Sequence, residues 1–139
     1  METLVSVKKE QNVLTVQQAF NNFLKGNVQG ILDVCTDDIT WGSYFDPAVP
    51  FSKTYQGKKG VGEFFATLAA TSDYKTFDTQ DFYADGDTVL VKGYQEAVVK
   101  TTGKTFAHDF LMQFKLRDGK IAYFFSFIDI NDEVKAFTK

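Results

Sequence analysis

The chain has 139 residues, of which 44% are hydrophobic and 16% are aromatic, with 15 phenylalanines among them. This length and composition predict a single globular domain with an aromatic core, and they exclude a disordered chain. The net charge of -3 and the lack of any Lys/Arg cluster longer than a pair exclude a surface for anionic membranes or nucleic acid, so nucleic acid is not an expected partner.

Cysteine and histidine each occur once, as Cys35 and His108. This excludes an internal disulfide and the usual Cys/His zinc sites, so a metal site would have to be carboxylate-based, and we expect no metal and no cofactor. Cys35 lies at a predicted helix end among apolar residues, which favours a buried, inert thiol. The chain shows no signal peptide near Met1 and no apolar run as long as a membrane span, so we expect a cytoplasmic protein without a membrane partner.

The first part of the chain predicts helices. Residues 1–12 are polar and charged and predict a loose tail, which leaves residues 13–139 as the domain. Thr15 is placed to cap a helix whose apolar residues recur at helical spacing, and Gly26 provides its stop. The elements predicted next are a helix over 28–34, a strand over 39–41 and a third helix over 60–71.

An aromatic loop separates that first strand from the third helix. It contains both prolines of the chain, and aromatic residues lie in it and on both sides of it. A loop with this composition at the end of a sheet is better suited to line a cavity than to lie in water. We predict that Trp41, Tyr44 and Phe51 line a ligand pocket, with a place in the ordinary core as the alternative.

The second half of the chain predicts four strands joined by hairpin turns, because glycine-containing turn signals separate them. In the strand that ends at the Asp118-Gly119 turn, apolar residues alternate with polar ones, so one face is apolar. That face carries His108, and we predict that Phe110 and Met112 on it line the pocket. The predicted strands cover 75–83, 87–99, the stretch from Lys104 to the turn, and 121–128, with a terminal helical turn within 131–139.

This order of elements predicts an α+β fold. Helices come early and hairpin strands later, so three helices are expected to cover one face of a strongly curved antiparallel sheet. Valines at alternate positions of the second strand, with Gly93, are predicted to face the helices. The last strand is apolar at both odd and even positions, which predicts that both of its faces are covered.

Several motifs then resemble the SnoaL-like branch of the nuclear transport factor 2-like (NTF2-like) superfamily, which also includes ketosteroid isomerase. The resemblance extends from Val16 to Phe137 and implies a cone of sheet wrapped on three helices, with a pocket at its wide end and often a homodimer through the outer sheet face. For the dimer we expect Tyr123, Phe125 and Phe127 to form the contact, with a covering loop as the alternative. The motifs are CTDDITWGSYFDP, YQGKKGVGEFFATL, ADGDTVLVKGY, TGKTF and FKLRDGKIAYFFSFID.

The resemblance disfavours steroid isomerisation. Matching residues 37–40 to the corresponding run of ketosteroid isomerases places Ser43 where those enzymes have their base. The position of their acidic hydrogen-bond donor falls near Leu111 or Met112, neither of which donates a hydrogen bond. The isomerase machinery is therefore not matched in this chain.

SnoaL-type cyclases use an Asp and a His that face the cavity, and the resemblance implies His108 and Asp129 as the nearest counterparts. Asp46, three residues after Ser43, is a further candidate. Burial in an apolar cone raises the pKa of a carboxylic acid and lowers that of histidine, which would bring such a group close to neutral pH. The alternatives are a hydrogen-bonded core histidine, a strand-end residue for Asp129 and a turn residue for Asp46.

Three functions remain open. The first is an isomerase, cyclase or hydratase that acts by general acid/base chemistry on a small hydrophobic carbonyl compound. The second is a protein that binds a small hydrophobic molecule without chemistry, and the third is a dimerising accessory domain with a filled cone. A ligand-sized cavity separates the first two from the third, and a polar pair at that cavity separates enzyme from binder.

Overall fold

The computed structural model describes the backbone from Leu4 to Lys139 and the side chains from Lys8 onward. Its elements confirm the predicted α+β class. In chain order they are α1 (Leu4–Leu24), α2 (Val28–Asp33), β1 (Cys35–Ser43), β2 (Tyr55–Gln56), α3 (Gly57–Thr71), β3 (Ser72–Asp85), β4 (Thr88–Val99), β5 (Thr105–Arg117), β6 (Lys120–Phe127) and α4 (Ile130–Phe137).

The six strands form one sheet in the order β2-β1-β6-β5-β4-β3, which has two free edges and does not close. All neighbours are antiparallel except β1 and β6, which are parallel, so the expectation of a purely antiparallel sheet was wrong for this pair. A parallel pair needs a long connection, and here α3 and four strands, β2 to β5, provide it. Register shifts within β3 bend the sheet around the helices.

Helix α1 begins at Leu4, eleven residues earlier than the cap predicted at Thr15. The Thr15 hydroxyl donates to the carbonyl oxygen of Gln11 at 3.1 Å, a bond within the helix and not a cap. Asn12 is only 2% exposed, so this part of the predicted tail packs into the domain. The stretch predicted as a loose tail is therefore helical over residues 4–12 and packed at Asn12, and residues 1–3 lie outside the described part.

The hairpin between β5 and β6 forms as predicted. Asp118 and Gly119 both have positive φ, at 53° and 79°, as a primed two-residue turn requires. On the concave face of β5, Phe106, Phe110, Met112 and Phe114 are all buried, which confirms the predicted alternation.

Gly93 of β4 is required by a close approach of its two neighbours. It pairs with Thr79 of β3 and with Phe110 of β5. A Cβ at this position would lie 2.3 Å from the carbonyl oxygen of Asp78 and 2.3 Å from Cζ of Phe110. The Phe110 ring therefore fills the space that a side chain would otherwise take, inside the cone.

The core lies between the concave face of the sheet and the helices and is strongly aromatic. The Phe20 ring of α1 lies 5.8 Å from that of Phe77 on β3 and 5.6 Å from that of Phe114 on β5. Cys35 is buried, its thiol donates to the carbonyl oxygen of Ile31 at 3.3 Å, and burial raises its pKa to about 11, as expected for an inert thiol. Among the described helices, none has the length and apolar character needed to span a bilayer.

Candidate functional site

Helix α4 covers the end of the cone where β6 stops. The last residue pair between β5 and β6 joins Leu111 to Phe127, so the preceding part of β5 has no β6 partner. In that part the amide of Ala107 donates to Oδ2 of Asp132 on α4 at 3.0 Å. The ring of Phe137 on α4 also packs on Phe106, at a centroid distance of 6.4 Å. Helix α4 therefore covers the part of β5 that extends beyond the end of β6.

Beneath α4, His108 is held from both sides of its ring. Its side chain is 7% exposed, and Nδ1 lies 3.1 Å from Oδ2 of Asp132. Nε2 lies 2.8 Å from the amide nitrogen of Gln95 on β4 and 3.7 Å from Oε2 of Glu133 on α4. A carboxylate only accepts, so Nδ1 carries the proton and Nε2 accepts from Gln95.

Glu133 is a buried carboxyl group, 2% exposed, in the first half of α4. Burial, and secondarily the negative charge of Asp132, raise its pKa to about 8. Its carboxyl group is therefore mainly protonated at neutral pH, with a minority in the carboxylate form. Burial and the charge of Glu133 also raise the pKa of Tyr74, which keeps that phenol neutral.

Two adjoining cavities lie inside the cone. One, the aromatic cavity, has a volume of about 70 Å³ and is lined almost entirely by apolar side chains, including Trp41, Phe65 and Phe114. The other, the acidic cavity, has a volume of about 50 Å³ and includes Glu133 and Ser126 in its wall. Both are lined by Phe64, Leu68, Tyr74, Gln95, Met112 and Phe124.

These shared residues show that the two cavities are neighbours. Glu133 lines only the acidic cavity, whereas Gln95 lines both. In the wall of the aromatic cavity the Trp41 ring stacks on that of Phe124 at 4.0 Å, and its Nε1 is buried without a hydrogen-bond partner.

The predicted pocket residues divide into two groups. Trp41 and Met112 line the aromatic cavity, and Phe51 lines the acidic one. Phe110 is buried and stacks on Phe77 at 5.1 Å, and it is not among the residues that line either cavity. Tyr44 is 41% exposed and packs edge-on against Phe125 on the outer face, because it lies three residues after inward-facing Trp41 and so takes the opposite side.

The predicted catalytic residues are not brought together. His108 belongs to the buried cluster but reaches the cavities only through Gln95 and Glu133. Asp129 caps α4 by accepting from the amide of Asn131 at 3.1 Å, and Asp46 accepts from the amide of Ala48 at 2.9 Å in its turn. Neither aspartate lines the two cavities, so both occupy the structural roles given above as their alternatives.

Sequence reasoning missed Gln95, Asp132 and Glu133. Glu133 lies three residues after Ile130 and four before Phe137, which places it on the apolar face of an amphipathic helix. Gln95 shares its position in the alternation with inward-facing Val91 and is 4% exposed. A polar residue at an apolar position was thus the available signal in both elements. Within the described part of the chain, no three His, Cys, Asp or Glu side chains converge to hold a metal ion.

The residues predicted for a dimer lie on the outer face of β6. Phe127 is 39% exposed and Phe125 is half-buried, and the Tyr44 ring contacts both. Lys115 lies over the ring of Tyr123, with its Nζ 5.1 Å from the centroid. The aromatic loop therefore covers part of this surface, and the dimer stays a prediction.

This topology, a curved sheet wrapped on helices with a cavity inside, is that of the NTF2-like cone proteins. The model of the SnoaL-like domain family matches residues 16–124. The chain belongs to this family, as its motifs had indicated. The match ends before α4, so Asp132 and Glu133 lie outside the matched region.

Solved structures share the fold at low sequence identity. An NTF2-like protein from Burkholderia xenovorans LB400 is 24% identical, with a TM-score of 0.86 over 94% of this chain and 98% of that one. TerC, co-crystallised with polyporic acid, is 22% identical, with a TM-score of 0.82 over 91% and 98%. An LEH-like epoxide hydrolase from M. tuberculosis is 13% identical, with a TM-score of 0.74 over 94% and 91%. No curated protein sequence matches the chain.

Proposed function

We propose that this protein is a small-molecule enzyme that moves a proton on a hydrophobic carbonyl compound, with Glu133 as the catalytic acid/base. One observation carries the proposal: a buried carboxyl group in a cavity wall, with a pKa near 8, lies 3.7 Å from an oriented imidazole. A group whose pKa is close to the working pH both donates and accepts a proton efficiently.

The chemistry starts from the carboxylate form of Glu133. It accepts a proton from the carbon next to the substrate carbonyl, and the C–H electron pair forms a C=C bond while the carbonyl π pair moves to oxygen. The second N–H of Gln95 stabilises the charge on that oxygen, since its first N–H is donated to His108. In a substrate with a further C=C bond between the β and γ carbons, Glu133 returns the proton to the γ carbon, that C=C bond shifts to the α,β position and the carbonyl bond re-forms, which completes an isomerisation.

His108 and Asp132 position this group. The hydrogen bond from Nδ1 to Asp132 fixes the ring and leaves Nε2 directed at Glu133 and Gln95. The 3.7 Å between Nε2 and Oε2 is longer than a hydrogen bond, so the ring supports Glu133 by packing beside it and by holding Gln95 in place. His108 thus acts through Glu133 and does not contact the substrate.

Two of the similar structures support a small-molecule role, since one was crystallised with polyporic acid and another is an epoxide hydrolase. A non-catalytic binding protein is the second candidate. It is favoured because the cavity wall is mostly aromatic and His108 is separated from the cavity by Gln95.

The test is deuterium exchange at the carbon next to a carbonyl. Acetophenone, 2-acetylnaphthalene and a four-ring steroid ketone are incubated in D₂O with the protein, and exchange is followed by NMR. We expect the protein to speed the exchange of at least one ketone. The rate of this exchange should fall about 100-fold in Glu133→Gln. It should be unchanged in Glu63→Gln, which alters an exposed carboxylate on α3. Equal exchange rates for the parent protein and Glu133→Gln would contradict the proposed catalysis by Glu133. Binding of a ketone without exchange would support the non-catalytic binding protein.

A further inference from the structure

We propose that the acidic cavity is a water site, and that its water carries protons between Glu133 and a ligand at the neighbouring aromatic cavity. The water site follows from the groups in the cavity wall alone. The proton relay rests on the proposed function, so the two parts are tested separately.

Polar side chains in the wall of the acidic cavity have hydrogen-bonding capacity that the protein does not use. Ser126 on β6 is 8% exposed and Glu133 on α4 is 2% exposed. Within the described part of the chain, the Ser126 hydroxyl and the Glu133 carboxyl group form no hydrogen bond, and the same is true of the Tyr74 hydroxyl. Nε2 of His108, 3.7 Å from Oε2 of Glu133, is too distant for one. Buried polar groups in folded proteins are paired with protein or with ordered water, so these three side chains are suited to bind water.

The same three side chains meet at one space of suitable size. Ser126, Tyr74 and Glu133 all line the acidic cavity, whose volume is about 50 Å³. A water molecule needs roughly 10–15 Å³ and two to four polar partners. The acidic cavity therefore has room for at least one water molecule and the partners that such a molecule requires.

The aromatic cavity differs in the character of its wall. It is lined almost entirely by apolar side chains, so it offers water few partners and favours an apolar occupant. The two neighbouring cavities are thus suited to different occupants, water in the acidic one and the apolar part of a ligand in the aromatic one.

Water in this place connects Glu133 to the ligand. Glu133 lines only the acidic cavity, whereas Tyr74 and Gln95 line both. Because Ser126, Tyr74 and Glu133 hold the water, the second N–H of Gln95 stays available for the carbonyl oxygen of the ligand. General acid/base catalysis through one intervening water is an ordinary arrangement in enzymes.

The relay needs no co-reactant. The water oxygen takes the proton from the carbon next to the ligand carbonyl, while one of the water's own protons passes to the carboxylate of Glu133. The C–H electron pair forms the C=C bond of the enolate, and the carbonyl π pair moves to oxygen. The water remains neutral, and the reverse transfer returns a proton to the ligand.

The first test is a high-resolution crystal structure of the parent protein. We expect a water molecule at roughly 2.6–3.2 Å from both Glu133 and Ser126. A cavity without ordered water at Glu133 would overturn the water site and the relay together.

The second test compares two changes at Ser126. Ser126→Ala removes the hydroxyl and leaves the space, so water stays bound to Glu133. Ser126→Val fills the space with methyl groups and displaces the water. The pKa of Glu133 is followed by carbon NMR of the glutamate carboxyl groups, and its signal is assigned by its loss in Glu133→Gln. Circular dichroism checks that both variants are folded.

We expect the pKa of Glu133 to stay near 8 in Ser126→Ala and to rise by about one unit in Ser126→Val, because the carboxylate form loses a hydrogen bond from water. The rate of ketone exchange should fall about tenfold in Ser126→Val and stay close to that of the parent in Ser126→Ala.

Each other outcome has a definite meaning. An equal rise of the pKa in the two variants would mean that Ser126 bonds directly to Glu133, and an unchanged pKa in Ser126→Val would mean that water does not contact Glu133; either contradicts the water site. Ordered water in a parent protein that exchanges no ketone would keep the water site and remove the proposed function. Glu133-dependent exchange that is equally fast in Ser126→Val would keep the proposed function and remove the relay.

Discussion

Oε2 of Glu133 lies 3.7 Å from Nε2 of His108, inside a core that is built mainly from aromatic and aliphatic side chains. The imidazole is oriented by Asp132, and the carboxyl group is kept mainly protonated by burial. The two groups lie side by side at the cavity wall, and their properties can be measured before any substrate is known.

The first prediction concerns stability and pH. The pKa of Glu133 is raised from 4.5 to about 8 on folding, so the folded state binds more protons than the unfolded state between these values. The stability gained from the protonated carboxyl is therefore complete below pH 4.5 and is lost as pH rises to 8. We expect urea unfolding to show a decline of up to a few kcal/mol over this range, since one pKa unit corresponds to about 1.4 kcal/mol.

The comparison is between the parent protein and Glu133→Gln, in which the other titrating groups remain. The difference between their stabilities should shift in favour of Gln as pH rises from 5 to 8. Glu63→Gln, at an exposed position, should follow the parent curve. Parallel curves for Glu133→Gln and the parent would mean that Glu133 is ionised in the folded protein.

The second prediction concerns the tautomer of His108. Because Asp132 accepts from Nδ1 and the Gln95 amide faces Nε2, the neutral ring should carry its proton on Nδ1. Since the chain has one histidine, a nitrogen–proton correlation spectrum of the imidazole contains a single ring. A proton on Nε2 would contradict the arrangement of the cluster.

Replacing Asp132 tests the same cluster through stability. In Asp132→Ala, the amide of Ala107 and Nδ1 of His108 both lose their acceptor. We expect a loss of about 1–3 kcal/mol in the free energy of unfolding, measured by urea titration. Asp132→Asn retains an amide oxygen as an acceptor, so its free energy of unfolding should fall less. An equal fall in the two variants would mean that Asp132 stabilises the protein through its negative charge and not through the hydrogen bonds.

The third prediction concerns Gly93. A methyl group there would meet the Asp78 carbonyl oxygen on one side and the Phe110 ring on the other. We expect Gly93→Ala to lower the free energy of unfolding by about 1–3 kcal/mol, the range found for overpacking. Gly62 on α3 is the matched control: a Cβ there has no atom within 4 Å, so Gly62→Ala should be neutral or stabilising by up to about 1 kcal/mol. Equal effects would remove the steric explanation.

The fourth prediction concerns assembly. We propose that the outer face of β6, with Tyr123, Phe125 and Phe127, contacts a second copy of the chain, because Phe127 is exposed and the two aromatic residues beside it are only half-buried, which favours association. Light scattering after size exclusion should then give the mass of two chains for the parent and of one chain for Phe127→Lys. Leu24→Lys changes an exposed leucine at the end of α1 and should leave the dimer intact. A parent protein with the mass of one chain would contradict the proposal.

Local patterns predicted the parts of the fold that depend on neighbours in the chain. The alternation in β5 and the positive φ values at Asp118 and Gly119 follow from residue types alone, and both are present. Thr15 misled the prediction of the first helix because the same hydroxyl that caps a helix also bonds to a carbonyl within one. The parallel pairing of β1 with β6 joins segments far apart in sequence, and no local signal contains it.

The candidate site was harder to predict from the sequence than the fold, because its residues come from elements that are far apart in the chain. His108 was identified because it interrupts an apolar face, but its partners come from β4 and from α4. Asp132 reaches it only because β5 extends beyond β6 and leaves the amide of Ala107 free to receive α4. The aspartates chosen from the resemblance, Asp46 and Asp129, have local partners instead, which a sequence does not distinguish from a catalytic placement.

Asp132 accepts hydrogen bonds from both the Ala107 amide and Nδ1 of His108. The packing of α4 on the sheet and the orientation of the imidazole therefore depend on the same carboxylate. If α4 shifts, the ring loses its anchor, Glu133 leaves the cavity, and Phe51 and Phe106 lose the Phe137 ring that packs on them. The terminal helix therefore closes the cone and delivers its buried acid in one step, and neither can be altered without the other.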